Sequence, residues 1–169
     1  MRRLLFALLL ISSPALAGKG VSVTMTPTIS NSSYSSTFSI GGLIKVPFFM
    51  NPGLAGGTVN QVMLHWSGTE TVAVTFYIWK GLPTHSTCNN LSPIIQLDDA
   101  LLATAPFTLT AAAPAGTTHT SVSAPVVFSV RNADATVNLY VCAVAGAAFT
   151  PALADFNFTI SGIADSGTD

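Results

Sequence analysis

Thr71-Val-Ala-Val-Thr-Phe-Tyr-Ile-Trp-Lys80 is the stretch on which the reading of this chain turns. Val72, Val74, Phe76 and Ile78 alternate with Thr71, Ala73, Thr75, Tyr77 and Trp79, and a period of two belongs to a β-strand. Both faces carry β-branched or aromatic side chains. Such a strand belongs in the middle of a sheet, with the Ile78 face inward and the Trp79 face at least partly covered.

Working outward, the same alternation recurs on either side. Val21, Val23 and Met25 alternate with Ser22 and Thr24 and stop at Pro27. Gly41-Gly42 punctuates the chain before Leu43 to Phe49, where Pro47 argues for an edge strand or a bulge. Asn51-Pro52-Gly53 and Gly56-Gly57 read as a turn, and Val59 to Trp66 as the next strand. Ser67 to Glu70 reads as a hairpin connection into Thr71 to Lys80. After the long irregular stretch Gly81 to Leu97, Asp98-Asp99-Ala-Leu-Leu suggests one helical turn with an acidic start. Phe107 to Ala111 is a short strand and Ala113 to Gly116 a turn. Thr117 to Arg131 is a long strand region interrupted by Pro125, with Val126, Phe128 and Val130 inward. Asn132-Ala133-Asp134 then turns the chain into Thr136 to Val144, and Phe156, Phe158 and Ile160 mark a last strand. About eight strands with minimal helix predict an all-β fold, a single β-sandwich of jelly-roll or immunoglobulin-like topology.

Composition limits what such a domain does. Charged residues make up 8% of the 169 and hydrophobic ones 49%, with a mean hydropathy of +0.56. Ser, Thr, Asn and Gly must therefore supply most of the wetted surface. Residues 1–17 have the three regions of a secretory signal peptide: Met-Arg-Arg, the apolar run Leu4 to Ile11, and Ala15-Leu-Ala before a cleavage point after Ala17. The expected organisation is a leader, 1–17, and one sandwich domain, 18–169. Removing Arg2 and Arg3 takes the formal charge from -1 to -3. Lys19, Lys45, Lys80 and Arg131 are then the strong cations, too few to neutralise a nucleic-acid backbone, so no nucleic-acid partner is expected. No run after the leader approaches the roughly 18 apolar residues of a membrane span.

Export would carry Cys88 and Cys142 into an oxidising compartment, where they either bridge or remain two buried thiols. A bridge would close a loop of about 55 residues, worth roughly 4 kcal/mol on the loop-entropy account. His65, His85 and His119 are the histidines, and their spacing does not bring them together for zinc or general-base work. Asp98-Asp99 suits a helix dipole better than a cation site. No nucleophile elbow, phosphate loop or favoured carboxylate pair stands out, so no catalytic residue, metal ligand or cofactor is expected. Trp66, Tyr77 and Trp79 could form an exposed aromatic platform for a sugar or a partner, or lie under a covered second sheet face. Asn31, Asn90 and Asn157 head triplets of the glycosylation pattern, relevant only in a eukaryotic secretory pathway.

Several of these residues form an ordered set. Gly41-Gly42-Leu43-Ile44 with Val46-Pro47, Gly56-Gly57, Val62 with Leu64, Pro83-Thr84 with Ser86-Thr87 and Asn89-Asn90, and Leu97-Asp98-Asp99 with Leu101-Leu102 resemble a group of small tailed-phage virion proteins. Leu139-Tyr140, Phe149-Thr150, and Asp155 with Phe156 and Phe158 continue the likeness, which covers roughly Phe38 to Ile160. The resemblance implies a β-sandwich particle component, a head-decoration or accessory protein without catalytic residues, whose partners are further copies of itself or capsid-like neighbours in a virion. The leader and Cys88 stand outside that pattern. An exported bacterial surface or periplasmic binding module, adhesin-like or carbohydrate-binding, is the alternative expectation.

Overall fold

Alternation along the chain is realised as two antiparallel sheets packed face to face, seen in a computed structural model that describes residues 18–51, 55–113, 120–151 and 156–165. The strands are β1 (Lys19–Met25), β2 (Ser39–Pro47), β3 (Gly56–Trp66), β4 (Val72–Trp79), β5 (Phe107–Ala111), β6 (Thr120–Ala124), β7 (Phe128–Arg131), β8 (Asn138–Ala145) and β9 (Phe156–Ala164). The leader 1–17, Pro52-Gly53, the turn residues after Ala113, His119 and Asp155 lie outside the described residues.

The first sheet runs β1-β9-β3-β6, with β7 also on β3, and the second β2-β8-β4-β5. β3 is long enough to serve two neighbours on one edge: Val62 to Trp66 pair with β6, and Gly56 to Val59 with β7. Strands β6 and β7 therefore share one position, broken around Pro125, whose missing N–H cannot join a ladder. Of the two topologies open from sequence, this order is the jelly roll. The chain crosses between sheets at every step except β4 to β5 and β6 to β7.

β4 sits between β8 and β5. Val72, Val74, Phe76 and Ile78 point into the sandwich and are buried, as the alternation required. They meet Val62, Leu64 and Trp66 of β3, Phe156, Phe158 and Ile160 of β9, and Leu139, Val141 and Ala143 of β8 in one apolar core. Phe76 reaches across the layers to Phe158, 5.5 Å between ring centres, and lies 5.8 Å from Phe107 of neighbouring β5 in its own sheet.

Two local expectations are corrected. Ser67 to Glu70 is not a hairpin, because β3 and β4 belong to different sheets. The link arches over the sandwich end, with Trp66 Nε1 donating to Glu70 O at 2.6 Å. Gly41-Gly42 does not precede a strand but lies inside β2, where the register with β8 shifts between Ile40 and Leu43. Both glycines have positive φ, 78° and 76°, and a Cβ at Gly41 would stand 2.3 Å from Pro27 Cβ. Asn132 to Asp134 carries the chain from β7 in the first sheet to β8 in the second. The acidic segment does form a turn of 3₁₀ helix, Asp99–Leu101.

Candidate functional site

The connection from β4 to β5, residues 81–102, lies across the outer face of the second sheet as a strap. That face needs a cover. Trp79 of β4 and Tyr140, Cys142 and Val144 of β8 point away from the main core, and together with Cys88 they form a second, buried apolar cluster. Leu43, Tyr77, Ile94, Leu101 and Leu102 pack around it. β8 is consequently buried on both faces, which explains its uninterrupted apolar run.

The strap is fastened along its length. Lys80 N donates to Leu101 O at 2.8 Å and Ala103 N to Ile78 O at 2.7 Å, so the returning chain lies beside the end of β4. Thr87 and Ile95 exchange backbone hydrogen bonds of 2.8 and 3.1 Å, folding the strap on itself. Cys88 is disulfide-bonded to Cys142, so of the two outcomes left open by the sequence the bridge is the one formed. At β2, Ser39 N donates to Ser92 O, Leu91 N to Ser39 O, and the Ser39 hydroxyl to Asn89 O. Asn90 Oδ1 accepts from Gly41 N at 2.9 Å and from the Tyr34 hydroxyl at 2.7 Å. The Gly41-Gly42 bulge and the Asn89-Asn90 pair, 48 residues apart in sequence (89 − 41), thus meet in space. Gly42 leaves room for this approach, since a Cβ there would stand 3.3 Å from Cys88 O.

Asp98 holds the far end. Its carboxylate accepts from His85 N at 2.9 Å and Ser86 N at 3.3 Å, and His85 Nδ1 lies 2.8 Å from Oδ1. Those bonds, led by the His85 N–H and only partly opposed by desolvation, lower the Asp98 pKa to about 2. Ser86 Oγ returns the interaction by accepting from Leu97 N and Asp98 N. Asp98 is therefore a loop anchor and not simply a helix-dipole partner, which corrects the local reading. Asp134 anchors the start, accepting from Leu82 N at 3.0 Å and from the N–H and hydroxyl of Thr136. Its pKa is lowered: desolvation, the largest single influence, raises it, but the Thr136, Leu82 and Tyr140 hydrogen bonds together outweigh it.

What the strap shows to solvent is apolar. Leu82, Ile95 and Leu97 are 47%, 52% and 63% exposed, while Ile94 between them points into the second cluster. Ile95 and Leu97 stand two apart on an extended segment and share one side, making a braced knob.

The aromatic platform is not formed. Trp66 is buried between the sheets, 5.5 Å edge-on from Phe149, whereas Trp79 is buried under the strap and stacks on half-buried Tyr77 at 6.1 Å. The covering strap, which a strand pattern does not disclose, is the reason. Trp79 Nε1 has no hydrogen-bond partner among the described residues. The two described histidines, His65 and His85, are also apart. His65 lies on the outer face of the first sheet between Ser121 Oγ (2.8 Å) and Thr159 Oγ1 (3.1 Å), while His85 is on the strap. Asp99 contacts Gln96 and does not join Asp98 around a shared point. Among the described residues no group of three His, Cys, Asp or Glu side chains is placed to hold a metal ion, and no helix is long and apolar enough to cross a membrane. An open depression of about 350 Å³ is lined by Gly56, Thr58, Ser129, Arg131 and Asp165.

Comparison with known proteins leaves these geometric observations to stand alone: no family model and no curated protein matches the chain.

Proposed function

We propose that this protein is a non-enzymatic structural component that works by docking, as a decoration or accessory protein of a phage-like particle. The observation that carries the reading is the braced strap. A connection of some twenty residues, tied down by a disulfide and by hydrogen bonds to β2, β4 and Asp98, presents Ile95 and Leu97 to solvent in one conformation. Preorganised apolar side chains on a rigid base lose little entropy on association, the property an assembly contact needs. The jelly-roll order also occurs in viral capsid domains, an analogy of fold that supports the reading. The sequence resemblance supplies the particle as the partner.

The disulfide favours a second reading, an exported bacterial surface or periplasmic binding module, because bridges persist in oxidising compartments. One experiment separates the two. Antibody raised against the full chain is used on cells of the source organism after particle induction, with gradient-purified particles and the periplasmic fraction probed side by side. Co-banding with particles supports the docking reading. A chain beginning at Gly18 in the periplasmic fraction, absent from every particle band, sinks it and selects the export reading.

A further inference from the structure

We propose that two copies of this chain pair antiparallel through the free edges of β1, joining their first sheets and placing both straps on the same side of the dimer. The inference takes its purpose from the docking reading, but its geometry stands on the edges of the sandwich.

A jelly roll has four edges, and proteins blunt the ones they keep free. β2 carries the Gly41-Gly42 bulge, exposed Lys45 and Pro47, and the backbone of Ser39 is already taken by Leu91 and Ser92 of the strap. The β6/β7 edge is broken at Pro125 into runs of five and four residues. β5 is five residues long and directly follows Pro106. β1 has none of these devices. It is seven residues long, without proline or a shift in its register against β9, and carries one charge, Lys19, at its end. Among the described residues its outer edge pairs with no strand. Its inward side chains Val21, Val23 and Met25 pack on the core yet stay only half-buried.

The strand is also complementary to itself. Antiparallel pairing about Val23 sets Val23 against its own copy, Val21 against Met25, and Ser22 against Thr24. Apolar side chains then meet apolar ones on the inner side. On the outer side the row of paired hydroxyls, Ser22 with Ser161 at 3.0 Å and Thr24 with Thr159 at 2.8 Å, continues into the second copy. The two Lys19 residues fall at opposite ends, eight residue steps or about 27 Å apart, several screening lengths at physiological salt. Such a contact is isologous, with a two-fold axis perpendicular to the joined sheet. That axis leaves each face on its own side, so both straps project the same way and the dimer docks bivalently. Two linked contacts raise avidity by about a hundredfold or more without any new chemistry.

The test uses the full chain and three substitutions. Light scattering across a concentration series is expected to show a monomer–dimer equilibrium that Val23→Lys weakens at least tenfold, with the near-ultraviolet dichroism of the fold unchanged. Independently of that variant's folding, Val23→Cys should be trapped as a covalent dimer under mild oxidation, while Thr108→Cys on β5 is not. Monomer at every concentration with no trapping at position 23 overturns the inference, as does a dimer that survives Val23→Lys or is trapped through Thr108→Cys. Particle attachment by a strictly monomeric chain would overturn this pairing alone. A dimer trapped at position 23 that attaches to no particle would leave the pairing standing and remove the docking reading.

Discussion

Replacing both cysteines, Cys88→Ala with Cys142→Ala, tests how the strap is held. The bridge joins residues 54 apart, so breaking it frees a loop of that length in the unfolded chain but leaves the folded strap its other fastenings. On the loop-entropy account the freed loop is worth about 14 cal/mol/K, or about 4 kcal/mol at 25 °C. Truncating two buried sulfurs adds about 1 kcal/mol of lost packing. For a domain of this size the sum corresponds to a fall in Tm of roughly 10–20 °C. Urea titration followed by Trp emission is the assay, because Trp79 lies in the same buried cluster as both cysteines. The midpoint should fall by roughly 2 M, and the m-value should rise as the unfolded ensemble expands. In the absence of urea the emission should stay that of a buried indole, since Asp98, Ser39 and Asn90 still hold the strap. A red-shifted Trp79 in native buffer, with midpoint and m unchanged, would refute this reasoning and make the bridge a local latch.

Four further outcomes are expected. The folded Asp98 pKa of about 2 lies below its unfolded value of 3.8, so its contribution is fully present above about pH 4 and is lost as pH falls toward 2; urea midpoints of Asp98→Asn should be lower at pH 7 and flatter than wild type across that window. Trp66→Phe should cost about 1 kcal/mol more than Trp79→Phe, because the first removes the donor to the Glu70 carbonyl and the second removes an N–H without a partner among the described residues, and thermal melts of the pair decide it. Gly41→Ala should cost on the order of 1–3 kcal/mol, from its φ of 78° and the Pro27 contact, and a value near zero would show that the bulge relaxes freely. Ile95→Asp with Leu97→Asp should change stability by no more than the roughly 0.5 kcal/mol expected of surface changes and, on the docking reading proposed above, abolish particle attachment; retained attachment would move the proposed docking surface elsewhere.

Alternation made the strands legible because a side chain's face depends only on its own parity along the strand. The inward set of β4, the Val62–Leu64–Trp66 face of β3 and the Phe156–Phe158–Ile160 face of β9 all follow from it. Strand partners are different, since parity says nothing about which strand lies alongside. Ser67 to Glu70 has the length of a hairpin loop, yet it wraps Trp66, and a Cβ at Gly68 would stand 2.1 Å from that ring. The aromatic platform failed for a related reason. Tyr77 and Trp79 do face outward from the sheet, but the chain that covers them arrives from beyond residue 80 and is pinned to β8 by a cysteine near the other end of the sequence. Asp98 looked like a dipole partner because its three-residue neighbourhood suggests one, whereas its hydrogen-bond donors sit at residues 85 and 86.

The two outer faces of the sandwich resolve the same problem in opposite ways. A chain with 8% charged residues cannot coat both sheets with ions. On the first sheet the outer face is Ser22, Thr24, Thr159, Ser161, Ser121 and His65, whose hydroxyls and ring bond to one another across four strands and remain wettable. On the second sheet the outward residues Leu43, Tyr77, Trp79, Tyr140 and Val144 form an apolar patch, which the strap covers. A strap serving only as a cover would turn its apolar residues down and its polar ones out, whereas along this segment half-buried Gln96 shares the inward side with Ile94. Ile95 and Leu97 break that rule at the most firmly braced part of the connection, between the Thr87 ladder and the Asp98 anchor, where desolvating them costs the least order. On the docking reading, the cover of one face is thereby also the surface that meets a neighbour.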